Sequence, residues 1–363
     1  MKARRALGVT SSIVLLGALG LGCGREGRAV APITLESMTT IGATEGTGTM
    51  ATWPRVSARH AGGYRILVPQ PGGVAALPLA YADDGRLLGP LTTTGDSVGG
   101  FREPLFTRIG PGDSLWLFDN AQRVLVFAPN RSWVRTIPLL VGPWDAVVGA
   151  EGRMLISSSS SERPFPLLLI SATGVLEREL PGDSVSQSIH SPRRVIRAPD
   201  GSWWTMPMQF RYRLEHWDTS GVLLGVIERT PKWFPSYLRA YSPSHDHAPS
   251  PMLMDAWFDA AGRLWILGKA ADPKWAAGLT TPRDSASSIE DADLVYDTML
   301  EVLDPVSGAL LAQVRFDVSY PFAVEPGVVM RVRTTANGWN RAELMRVVLD
   351  TARLSLPNGD VRQ

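Results

Sequence analysis

The chain has 363 residues, 44% of them hydrophobic and 20% charged, with 36 basic residues against 35 acidic ones. That apolar fraction excludes a disordered chain, and the near-zero net charge gives no electrostatic reason to expect nucleic acid as a partner. One cysteine excludes a disulfide framework, so packing must hold the fold, while 28 Pro and 35 Gly imply many turns.

Residues 1 to 22 begin with Lys2, Arg4 and Arg5 and continue as an uncharged, largely apolar run from Ala6 to Gly22 that ends in small residues. This is the pattern of an export signal peptide, and the run sits at the short limit for a membrane span. Its removal takes away three positive charges and no negative one, turning +1 into −2. Cys23 follows at once, in the context Leu19-Gly20-Leu21-Gly22-Cys23. The context resembles the lipobox of bacterial lipoproteins, whose cysteine is diacylated through its thiol and becomes the new N-terminus. Gly20 departs from the pattern, which usually has Leu there. The resemblance implies Cys23 as a lipidation site, a membrane as partner through that anchor, and residues 23–32 as the linker behind it. Gly24, in place of the Asp associated with inner-membrane retention, implies an outer-membrane lipoprotein of the cell envelope. A plain secretory cleavage that leaves a free thiol is the alternative.

Ile33 to Ile41 is a β-prone segment with no turn-linked partner beside it. Beyond it a phrase recurs six times: a proline, a Gly or Asp-Ser turn a few residues later, and an apolar strand. Pro54 to Gly63, Pro104 to Asp113, Pro143 to Gly152 and Pro192 to Gly201 are each nine residues, Pro251 to Gly262 is eleven and Pro321 to Gly327 is six. The clearest unit runs from Pro104 through Phe106-Thr107-Arg108-Ile109, a turn at Gly110 to Asp113, Leu115 to Phe118, Arg123 to Phe127, a second turn at Ala128 to Arg131, and Trp133 to Ile137. Four short β-rich segments separated by turn residues make an antiparallel meander. The second strands are expected at Tyr64 to Val68, Leu115 to Phe118, Met154 to Ser157, Trp203 to Met206, Leu264 to Leu267 and Val328 to Val332. Several of them are continuously apolar, as expected where both faces of a small sheet are covered.

The six turn anchors are 50, 39, 49, 61 and 65 residues apart. Propeller repeats of four strands run at about 40 to 50 residues, so six blades with loop insertions account for the chain. The expected fold is all-β: a six-bladed β-propeller of four-stranded antiparallel blades over residues 33–356, with a tail at 357–363. An unsealed ring would expose blade edges, so Ile33 to Ile41 is predicted to complete the last blade as its outer strand beside Leu344 to Leu349. Arg353 to Leu356 competes for that place. Leu117-Phe118-Asp119-Asn120 followed by Arg123-Val124-Leu125-Val126-Phe127 resembles the strand, Asp, Arg-hydrophobic, Phe pattern of NHL-type propellers. The resemblance implies architecture and is too diffuse to imply an activity.

Two long insertions, Arg229 to Pro251 and Gly268 to Asp293, fall at connections predicted to lie at one end of neighbouring blades. Long loops on a rigid scaffold are where binding residues concentrate. Trp233, Phe234, Tyr237, Tyr241, His245, His247 and Trp275 are therefore candidates for contact with a protein, peptide or glycan partner, the alternative being that the aromatics cap blade ends. His245-Asp246-His247 is the nearest approach to a metal motif, although two imidazoles need further ligands. At the starts of inner strands, Asp145, Arg194 and Asp255 stand in three successive blades around the predicted channel mouth, where they bind a polar ligand or form inter-blade ion pairs. Cofactors and catalytic residues are not indicated: the chain has no Gly-x-Ser-x-Gly elbow, phosphate loop or dinucleotide fingerprint. A binding or scaffolding module is the leading reading. A hydrolase, lactonase or lyase with a metal or His at the channel mouth is the alternative from another class, although Asn residues of the kind that hold calcium in propeller lactonases do not stand at inner-strand starts.

Overall fold

The computed structural model describes residues 32–42, 55–68, 77–95, 99–158, 167–181, 192–280, 289, 291–334 and 340–354. The expected signal peptide, Cys23 and the tail from 357 lie outside them. Among the described residues, 24 strands form six four-stranded antiparallel sheets. Blade 1 spans Arg55 to Pro90, blade 2 Pro104 to Pro138, blade 3 Pro143 to Leu180, blade 4 Arg193 to Arg229 and blade 5 Met252 to Phe316. Blade 6 takes three strands from Phe322 to Leu349 and its outer strand, Ile33–Ile41, from the other end of the propeller domain. The first strand of each blade touches the first strands of both neighbours all the way round, which makes the six sheets a closed six-bladed β-propeller.

The closing strand pairs in the expected place. Ile33 lies opposite Leu349, Thr39 opposite Leu344 and Ile41 opposite Ala342, with a bulge between Ser37 and Thr39. Ile33 and Ile41 are both buried, so the two ends of the strand are held by packing as well as by the ladder. Of the competing segment only Arg353 and Leu354 are described, and they lie in no strand; Thr351–Arg353 is a 3-10 turn whose first turn is capped by the Asp350 carboxylate.

Burial explains why the second strands carry no polar alternation. Tyr64–Val68, Leu115–Asp119, Met154–Ser158 and Trp203–Pro207 are buried at every position. Within Leu115–Asp119, Leu115 and Leu117 pack with Tyr64, Ile66 and Val68 of blade 1, while Trp116 and Phe118 pack with Ala146, Val148 and Ile156 of blade 3. Alternate side chains thus serve alternate interfaces, and the core consists of a cluster between each pair of neighbouring blades. The outer strands sit at the rim and are mostly exposed, as in Trp133–Pro138 and Leu223–Arg229.

The Asp and Arg that carry the NHL-like pattern have a structural task. The buried Asp119 carboxylate accepts hydrogen bonds from the backbone N–H of Arg102 (3.0 Å), Glu103 (2.8 Å) and Ala121 (3.2 Å) and from Arg123 Nε (2.9 Å). It ties the entry of blade 2's inner strand to the turn between its second and third strands. Burial works against this charge, but the hydrogen bonds prevail and hold the Asp119 carboxyl below the usual range. At Gly85 a turn of blade 1 meets the closing strand: φ is +84° and a Cβ would lie 2.4 Å from the Thr40 carbonyl oxygen, so only glycine fits.

Candidate functional site

Two regions gather the candidate residues: the loop end of blades 4 and 5, and the central channel. At the loop end the two insertions meet, with Trp275 Nε1 donating to the Ser244 carbonyl (3.0 Å) and the His245 ring facing the Thr280 carbonyl (3.3 Å). The aromatics divide by burial. Phe234 is 0% exposed inside the core between blades 4 and 5, so it presents no surface to a partner and its candidacy for binding is withdrawn. Trp233 packs beside it with ring centroids 5.4 Å apart, covers Gly268, and donates to Glu301 Oε1 (2.8 Å). Tyr237 is half-buried and donates to the Pro251 carbonyl (2.6 Å), anchoring the insertion to the start of blade 5.

Farther out, Leu238 is 82% exposed, Tyr241 is 42% exposed, and His245 and His247 are both exposed. The Tyr241 ring lies 5.0 Å from the His247 ring and beneath the Arg239 guanidinium. The two histidines join no metal-ligating cluster among the described residues. Among the described residues the group with ligand spacing is Asp272, Asp297 and Asp317, none of them a sequence candidate. These three come from the end of blade 5's second strand, its third strand and the residue after its outer strand.

A buried polar network that sequence reasoning missed lies beneath the insertion. Glu301 has no exposed surface and accepts from Tyr212 Oη (2.5 Å), Arg229 Nη1 (2.6 Å) and Trp233 Nε1. The signal was a carboxylate flanked by Leu300 and Val302 in the strand Tyr296–Leu303, which also carries Asp297, since a buried charge must be paired. Beside it Lys269 reaches over the Tyr296 ring at 4.9 Å, and burial pushes its amine down to about 8.

The channel is built by register. Phe106, Asp145, Arg194 and Asp255 face Phe118, Ser157, Met206 and Leu267, the equivalent position of the second strand in four successive blades. In blades 2, 3 and 5 a bulge immediately precedes that position and re-aims the side chain. Asp145 and Asp255 adopt the same local arrangement, each carboxylate accepting the next residue's backbone N–H at 2.9 Å.

From there the two aspartates differ. Asp145 is buried between Arg108 of blade 2, with which it makes a close ion pair, and Arg194 of blade 4 at 3.6 Å. Arg194 Nε also donates to the Met254 carbonyl of blade 5 (2.6 Å), and Arg108 Nε to the Ala146 carbonyl of blade 3 (2.7 Å). For Asp145 and Arg194 the inter-blade ion pair therefore exists. Asp255 has no ion pair among the described residues, and burial raises its carboxyl against the opposing influence of Arg194. Arg55, from blade 1, likewise has no hydrogen-bond or ion-pair partner among the described residues. It lies 5.6 Å from the Phe106 ring centroid, and burial together with Arg194 lowers its guanidinium to about 10, still charged at neutral pH.

Next to these charges lies a cavity of about 500 Å³, walled by all six inner strands and the turns that follow them. Val56, Val147, Val195, Trp257 and Val324 supply much of an apolar wall, with Arg108 and Asp255 among its charged lining residues and Arg197 at the exposed rim. Another lining carboxylate, Glu325, is taken by Arg65 at 2.5 Å. None of the described residues that line the cavity is a histidine.

The molecule is thus a six-bladed β-propeller whose channel sets an apolar wall beside guanidinium and carboxylate groups from several blades. Its particular family is not defined by sequence: no protein-family model matches the chain, and no curated protein matches it. Among solved structures it is similar to a Bacteroides fragilis protein named as a candidate exported protein, at 8% identity over 87% of this chain and 95% of that one, with a TM-score of 0.55. A protein of unknown function from Bacteroides caccae aligns at 10% identity over 77% of this chain and 82% of that one, with a TM-score of 0.46. BBS1N in complex with ARL6DN aligns at 9% identity over 81% of this chain and 78% of that one, also at 0.46. At these identities the likeness is one of fold alone.

Proposed function

We propose that the protein is an exported, lipid-anchored β-propeller of the outer-membrane envelope that binds a small amphipathic anion in its central channel. The exposed loop end of blades 4 and 5 then serves as a second surface for a protein, peptide or glycan partner. One observation carries the ligand reading: a cavity of about 500 Å³ walled mostly by apolar residues is lined by Arg108 and Arg197, with Arg55 and Arg194 within electrostatic reach of Arg108, against Asp145, Asp255 and a Glu325 that Arg65 already neutralises. Ligand sites are typically clefts of roughly 300 to 1,000 Å³, largely apolar with a few convergent polar groups, and groups with perturbed pKa values gather in them. An apolar body against Val147, Val195 and Trp257 would be oriented by an anionic head at the guanidinium groups. A bidentate carboxylate or sulfonate suits that fork geometry. The same charge balance disfavours a cation in the channel, so the hydrolase or lactonase alternative finds no support there.

Titration with 1-anilinonaphthalene-8-sulfonate, an apolar ring system bearing one sulfonate, tests this. Ala58 lines the cavity and is half-buried, so Ala58→Trp fills the space without removing a charge. The reading requires one saturable site, weakened by salt and at least about tenfold weaker in Ala58→Trp. Equal binding by the two proteins would refute it. The anchor rests on the sequence of residues 1–24 and has a separate test: labelled fatty acid should enter the native chain and not Cys23→Ser, and equal labelling removes the lipoprotein reading.

A further inference from the structure

We propose that Asp272, Asp297 and Asp317 form a calcium site at the loop end of blade 5, apart from the channel. One oxygen from each carboxylate lies within 4.8 Å of the other two. Calcium holds oxygens at 2.3 to 2.6 Å, so ligands around one ion stand about 5 Å apart at most, and three oxygens within 4.8 Å of one another fit a single shell. Calcium tolerates an irregular shell, whereas magnesium demands near-ideal octahedral geometry.

A second observation points to a ligand. Asp297 is 3% exposed, yet its Oδ1 is buried without any hydrogen-bond partner. Its Oδ2 is paired with Arg315 Nε. A buried carboxylate oxygen without a donor is costly, and here it belongs to a group of carboxylates whose like charges repel. Arg315 and, beside Asp272, Lys274 supply two positive charges against three negative ones, and Arg315 Nη2 is already engaged by the Ala271 carbonyl (2.9 Å). A divalent cation would satisfy the orphaned oxygen and offset the negative charge that remains. Asp317 is exposed, leaving room for the waters that complete a calcium shell of six to eight oxygens.

The location gives the ion a task. Asp272 is the first residue of the insertion beyond the second strand, which runs to Ala271, with its backbone N–H donating to the Val295 carbonyl (3.0 Å) and its carbonyl accepting from Trp275 N–H (3.1 Å). Calcium there would clamp the root of the insertion to the second, third and outer strands of blade 5. Three carboxylates at an open site place the affinity in the range of extracellular modules, about 0.1 to 1 mM.

The test uses the full protein after exhaustive dialysis against EDTA, with thermal melts in calcium or magnesium chloride and terbium luminescence excited through tryptophan. The wild type should melt higher with rising calcium, respond less to magnesium, and show a terbium signal that calcium displaces. Asp317→Asn changes an exposed side chain and should keep the fold while needing at least tenfold more calcium for half its effect; Asp297→Asn should lose the response. A wild-type melt unaffected by calcium, or an Asp317→Asn response equal to the wild type's, overturns the proposal.

Discussion

Closing the ring with a strand from the opposite end of the propeller domain makes Ile41→Ala an informative perturbation. Ile41 is 0% exposed and packs with Leu67 and Tyr81 of blade 1 and Met330, Ala342 and Leu344 of blade 6. The substitution removes three buried carbon groups, about 2.4 kcal/mol at ~0.8 kcal/mol each, and the cavity left between two rigid sheets adds roughly 1 more. The expected loss is about 3 to 4 kcal/mol. Thr40 is the control, adjacent in the same strand but exposed, and Thr40→Ala should stay within about 0.5 kcal/mol of the wild type. Urea unfolding followed by tryptophan fluorescence measures both, with comparison restricted to variants that keep one transition and the same slope. If Ile41→Ala and Thr40→Ala unfold at the same urea concentration, residues 33–41 do not seal the propeller.

Lys269 gives a pH dependence whose sign is set by burial. Its folded pKa of about 8 lies below the ordinary lysine value of 10.5, so between these pH values the unfolded chain binds more protons and stability rises with pH. Below pH 8 the buried charge opposes folding in full. Lys269→Met should therefore flatten the stability profile between pH 8 and 10.5, and an unchanged slope would show that the amine is not buried as described. At the loop end, Phe234→Ala should cost about 3 to 5 kcal/mol through a core cavity, whereas Leu238→Asp should leave stability within about 0.5 kcal/mol. In envelope extracts Leu238→Asp should nevertheless reduce capture of a partner, while equal capture would assign that face to solvent.

The architecture was legible because a repeated constraint was written six times. A proline near the start of an inner strand and a glycine at the following turn answer backbone requirements that do not depend on distant residues, and the apolar second strands recorded that both faces of each blade are covered. The closing strand followed from an unpaired β segment and an edge that had to be covered. Phe234 was misread because its neighbours in sequence are those of a loop, and only the meeting of blades 4 and 5 shows that the loop dips into their core. Asp145 and Asp255 stood at the same position in the sequence pattern, yet whether each found a guanidinium depended on side chains from other blades. Asp272, Asp297 and Asp317 have no motif spacing at all, because three strands of one blade bring them together. Glu301 did carry a local signal, as a carboxylate in a mostly apolar strand that it shares with Asp297, but the strand does not say which groups pair with it.

The central claim, that the channel holds an amphipathic anion, is tested most directly by a crystal structure of the protein with 1-anilinonaphthalene-8-sulfonate bound. The rings should lie against Val147, Val195 and Trp257, with the sulfonate about 3 Å from a guanidinium nitrogen of Arg55 or Arg108, the ordinary separation of such a hydrogen bond. Density for the probe on the loop end or the blade edges, with only water in the channel, would contradict it.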